Sequence, residues 1–119
     1  MAGVKFVEYK EKKILVIDLA LSDLEEIVKV IRETKSLISK EPPASVLTLT
    51  DIKGVRFHGL VSKVAKEFTE FNKPFVKAGA IIGLDPGRVK EFAEIMQFSK
   101  RDFTFFPAAG EAKEWLIAQ

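Results

Sequence analysis

The chain has 119 residues, 47% of them apolar and 30% charged, with a formal net charge of +2; this is the composition of one globular domain, expected to span residues 1–119, and not of a disordered segment. It has no cysteine, which excludes disulfides, iron–sulfur clusters and thiolate zinc sites, and one histidine among scattered carboxylates gives no metal-ligand spacing. No apolar run approaches the ~18 residues of a membrane span, "MAGVKFVEYKEKK" lacks the apolar core of a signal peptide, and Lys alternates with Glu instead of forming a basic block, so the expectation is a cytoplasmic chain with no membrane span and no nucleic-acid partner.

"VKFVEYK" alternates strictly and reads as a strand with two unlike faces, and "KKILVIDLA" is a near-continuous apolar run that reads as a central strand. The short turn between them makes a hairpin without Asn-Gly or Asp-Gly, so its type stays open. "LSDLEEIVKVIRETKSLISKEPP" reads as a helix. Ser22 is the expected cap and Glu25 its capping-box partner; Leu24, Ile27, Val28, Ile31 and Ile38 mark the buried face, and Pro42 and Pro43 stop the chain. "SVLTLTDI" is the next strand. A second helix runs from about Gly59 to Asn72, with Leu60, Val61, Val64, Ala65, Phe68 and Phe71 inward.

"VKAGAIIGL" is a further strand, and "DPGRVKEFAEIMQFSK" a third helix with Asp85 as cap and Pro86 in its first turn. "FTFF" is the last strand. "GEAKEWLIAQ" is a final helix anchored by Ala112, Trp115 and Leu116. The order is β-β-α-β-α-β-α-β-α. It predicts an α/β domain with a mostly parallel five-stranded sheet, whose first strand is antiparallel because so short a hairpin cannot make a parallel connection.

Period-two alternation divides each strand by face. Leu15, Ile17 and Leu19 oppose Ile14, Val16 and Asp18; Leu47 and Leu49 oppose Val46, Thr48 and Thr50; Ala78, Ala80 and Ile82 oppose Lys77, Gly79 and Ile81. Each strand thus has an apolar side and a mixed side. The expectation is a sheet with its helices mainly on one face. The other, open face carries Asp18, Thr48, Thr50 and Lys77, and is solvated, covered by a terminal segment, or buried by a partner chain. An Asp18–Lys77 pair and separate solvated side chains are equal alternatives there.

The element order, with "SVLTLTDIKGVRF" leading into a helix and "KPFVKAGAIIGL" as the following strand, resembles the STAS-like domains, built like the bacterial anti-sigma-factor antagonists and grouped with the CRAL-TRIO fold. The resemblance runs from "VKFVEYKEKKILVID" to "GEAKEWL" and is nearest to small single-domain bacterial members. In the antagonists, a serine near the start of the helix after the third strand is phosphorylated, and its phosphate blocks docking to the kinase partner. The corresponding stretch here is "VRFHGLVSKV". It lacks the Asp-Ser-Ser-Gly signature, its matching place falls on His58 or Val61, and Ser62 lies within the helix. The phosphorylation switch is therefore not expected. What the resemblance implies is the fold, Asp51 at the strand end, and work done by contact with other proteins or small ligands.

Ligands of open α/β sheets bind beyond the carboxyl ends of the strands. Asp51, Lys53, Arg56, His58, Asp85 and Arg88 gather at that edge and form the candidate contact or anion-binding rim. A general base at His58 held by Asp51 is the enzymatic alternative, but a lone histidine with no placed nucleophile points to a helix start, and Asp51 is expected to brace the turn before Gly54. "IIGLDPGR" lacks either phosphate-loop frame, and "FSKRDFTFF" reads as core aromatics beside a basic loop. The expected function is a non-catalytic interaction domain with no cofactor, its protein partner unidentified and a homodimer among the candidates. The alternative is a carrier or sensor for a small anionic or lipid-like ligand.

Overall fold

The computed structural model describes residues 2–56, 59–84 and 104–119. Five strands form one sheet in the order β1-β2-β3-β4-β5: β1 (Gly3–Tyr9), β2 (Lys12–Asp18), β3 (Val46–Asp51), β4 (Val76–Ile82) and β5 (Thr104–Phe106). β1 is antiparallel to β2, and every other neighbouring pair is parallel. The helices described are α1 (Leu24–Ile38), α2 (Gly59–Asn72) and α3 (Ala109–Ile117). The fold class expected from the alternation of strands and helices is the one observed. The helix expected over "DPGRVKEFAEIMQFSK" lies outside the described residues.

The hairpin between β1 and β2 turns on Lys10 and Glu11, both in the left-handed region (φ 47° and 70°). Two left-handed central residues are the mark of a type I′ turn, whose twist matches that of the strands it joins. Helix α1 begins one residue later than "LSDLEE" suggested. Asp23 is the N-cap: its Oδ1 accepts from Glu26 N at 2.9 Å, while Glu26 Oε1 accepts from Asp23 N at 3.3 Å, a complete capping box. The buried face of α1 is Ile27, Val30, Ile31, Thr34 and Ile38, with Leu24 and Val28 only half-buried. Thr34 satisfies its buried hydroxyl by donating to Val30 O at 2.8 Å.

The register decides which side chains share a face. Leu15 stands opposite Thr48 and Ile17 opposite Thr50; Thr48 in turn faces Gly79, and Thr50 faces Ile81. The two threonines therefore share a face with Leu15 and Ile17, and this face packs against α1 and α2 through Ile27, Val30, Ile31, Ile38 and Phe68. On the reverse face, Ile14, Leu47, Leu49 and Ala80 meet Ala112 and Leu116 of α3, with Val16, Phe106 and Trp115 packed around them. Asp18 lies on that side, in register with Asp51. Of the described helices two cover one face and one covers the other; of the three states considered for the second face, cover by a terminal segment is the one observed. Asp18, Thr48 and Thr50 do not form one open surface. Alternation sets parity within a strand, whereas the connecting loops set the offset between strands.

Lys77 sits at a register shift: Val46 pairs with Val76 but Leu47 with Ala78, and Lys77 is the additional residue. Its ammonium donates to the main-chain oxygen of Gln119 at 2.9 Å. Asp18 Oδ1 instead accepts from Ala20 N at 3.0 Å. These groups stand at opposite ends of the strands, so the Asp18–Lys77 pair considered from sequence is not formed.

Candidate functional site

The loops that leave the carboxyl ends of β2, β3 and β4 extend the sheet's hydrogen bonding. Leu19 N donates to Asp51 O at 2.9 Å, Leu21 N to Lys53 O at 2.7 Å, and Ile52 N to Ile82 O at 3.0 Å. These bonds join the described loops into a rim at the place where open α/β sheets receive their ligands. Two carboxylates in register brace it in the same way. Asp18 Oδ1 accepts from Ala20 N, and Asp51 Oδ1 accepts from Lys53 N, each at 3.0 Å and each two residues ahead, the geometry of an Asx turn. Asp51 is thus engaged in holding the turn that delivers Lys53 and Arg56.

Gly83 completes the joint. It has φ +81°, and a Cβ placed on it would lie 2.6 Å from Asp51 Oδ1 and 2.7 Å from Lys53 N. Only a residue without a side chain lets β4 exit so close to the β3 turn. Gly54, at φ +73°, lies under Leu21, whose Cδ2 is 2.6 Å from the position of a Cβ there.

Leu21 is the feature that sequence reasoning missed. It occupies the third position of a four-residue turn closed by Ser22 N donating to Leu19 O at 3.1 Å, and its φ is +57°. Glycine or asparagine is usual in such a place, because a left-handed residue with a side chain costs roughly 1–2 kcal/mol. The leucine is nonetheless 76% exposed. Leu60, assigned to the buried side of α2 by periodicity, is 64% exposed at the start of that helix, and Lys53 and Arg56 are exposed between them in the chain. The sequence signal for Leu21 was slight: an apolar residue two places ahead of a helix cap, easily read as the end of the preceding strand.

Of the rim residues expected from sequence, Asp51 ends β3 and Lys53 and Arg56 are on the β3–α2 connection; His58, Asp85 and Arg88 lie outside the described residues. Between α1 and α2 is a cleft of about 240 Å³ lined by Val28, Ile31, Arg32, Lys35, Val64 and Glu67. A wider open concavity of about 1000 Å³ follows α1, where Asp23, Glu25, Glu26, Lys29 and Arg32 surround Leu24 and Val28. Among the described residues no group of three or more His, Cys, Asp or Glu is placed to hold a metal ion, and no helix is long and apolar enough to cross a membrane. Compared with known proteins, the chain matches no family model, no curated protein and no solved structure.

Proposed function

We propose that this chain is a non-catalytic, STAS-like interaction domain of the cytoplasm that docks a protein partner on the rim beyond its strand ends. The element order supports the domain type. The observation that carries the docking rim is Leu21: an exposed leucine in a backbone conformation that disfavours it, above a turn braced by Asp51 and flanked by cationic Lys53 and Arg56. A strained backbone under an exposed leucine does not stabilise the free domain, and this supports a contact role for the residue. The small-ligand carrier is the weaker reading, because the α1–α2 cleft, at about 240 Å³, is below the ~300–1000 Å³ of ordinary ligand pockets, and the concavity of about 1000 Å³ is an open surface along α1, lined mostly by charged side chains, and not an enclosed cavity.

Two substitutions separate contact from stability. Leu21→Gly relieves the left-handed strain and should raise unfolding free energy by about 1 kcal/mol. It should also deplete the proteins captured from lysate on immobilised domain. Arg56→Glu should deplete the same set with unchanged stability. A captured set identical to wild type for both variants would sink the proposed rim, and a loss seen only where the melting temperature also falls would assign it to unfolding.

A further inference from the structure

The C-terminal helix is attached to the sheet differently from α1 and α2. It has nine residues, and its N-cap Ala108 makes no side-chain capping bond. Isolated helices of this length are not stable in water, so its helicity depends on being docked. Among the described residues it is the only helix on its face, where Ala112 and Leu116 are fully buried and the Trp115 ring meets Phe106 at a tilt of 46°, 5.6 Å between centroids.

Among the described residues, its polar attachments are to side chains of the sheet and its hairpin. Glu114 accepts from Tyr9 OH at 2.8 Å and pairs with the Lys10 ammonium. Lys12 Nζ donates to Ile117 O at 2.7 Å, satisfying a carbonyl at the end of the helix, and Lys77 Nζ donates to the main-chain oxygen of Gln119, past the helix, at 2.9 Å. The ammonium groups of Lys10 and Lys113 lie over the Tyr9 ring at 5.5 and 5.6 Å. These attachments are solvent-exposed and charged. Undocking the helix breaks no strand pairing, because every ladder bond joins β1 to β5 without it.

We infer that α3 is an ionic latch: it leaves the sheet as a unit while the five strands, α1 and α2 stay folded, uncovering the apolar strip of Ile14, Leu47, Leu49 and Ala80. Burial of Ala112, Leu116 and Trp115 supplies most of the docking, and the Glu114 cluster adds the charge-dependent part that modulates opening. The hydrogen bonds from Lys10 and then Tyr9 hold the Glu114 carboxyl below the ordinary carboxylate range. A depressed carboxyl contributes above its unfolded pKa and loses that contribution as the pH falls through its folded value. The latch is therefore closed at neutral pH and loosens in acid. The bond to Glu114 raises both Tyr9 and Lys10, so their contribution holds at neutral pH and is lost only in strong alkali.

Hydrogen exchange on the whole chain tests this. Amides of residues 109–117 should exchange together, through an opening more frequent than that of the β2 and β3 amides. Glu114→Gln, or raising NaCl from about 0.05 to 0.5 M, should speed exchange of 109–117 by about two- to five-fold while β2 and β3 stay unchanged. Exchange of 109–117 in step with β2 and β3 would overturn the latch. So would a separate opening that neither Glu114→Gln nor salt alters.

Discussion

Gly83 and Asp51 show how narrowly the rim is built. The Asp51 carboxylate fills the space where a Gly83 side chain would be, and the Lys53 amide closes the other side. Gly83→Ala must both enter a left-handed conformation and displace backbone, so it should destabilise by about 2–4 kcal/mol in denaturant unfolding. Gly54 has a similar φ, but its near neighbour is the tip of the Leu21 side chain, which can swing away. Gly54 is visible in the sequence as a turn marker, whereas Gly83 reads as part of the strand "VKAGAIIGL", which ends at Ile82. The neighbours of both were hidden, because each close approach joins loops thirty or more residues apart. Leu21 was illegible for a related reason: nothing local distinguishes an apolar residue that ends a strand from one turned outward by a left-handed φ.

At the scale of the element, capping rules found α1 and misplaced its first residue. Ser22, Asp23, Glu25 and Glu26 offer two overlapping capping boxes, and propensity does not choose between them. The structure uses Asp23 with Glu26 and leaves the Ser22 hydroxyl buried without a partner. Asp23→Ala should cost about 1 kcal/mol, whereas Ser22→Ala should be neutral or slightly stabilising; thermal unfolding of the two variants distinguishes the caps. Periodicity likewise placed α2 but not its depth: Phe68 is buried as expected, while Leu60 lies at the exposed end of the same apolar stripe. A helical stripe extends beyond the area its neighbour covers, and only the packing shows where coverage stops. For α3 the anchors read from sequence, Ala112, Trp115 and Leu116, are the ones that meet the sheet.

At the scale of the molecule, the described elements make three layers, with α1 and α2 on one side of the sheet and α3 on the other. Both layers matter to stability. Leu15→Ala, beneath α1 and α2, and Leu49→Ala, beneath α3, should each lower unfolding free energy by about 2–5 kcal/mol. A sheet with one solvated face would show a cost of that size for only one of them. By itself the sequence determined the order of the described elements, the antiparallel first strand and the anchors of the last helix, because hydrophobic period, turn residues and connection length are local properties. Only the tertiary structure decided the offset between strands, and with it the face taken by Thr48, Thr50 and Asp18, the side to which α3 returns and the exposure of Leu21. A one-residue change in register exchanges the two faces of a strand while leaving its pattern intact, so that choice belongs to the packing of the assembled layers.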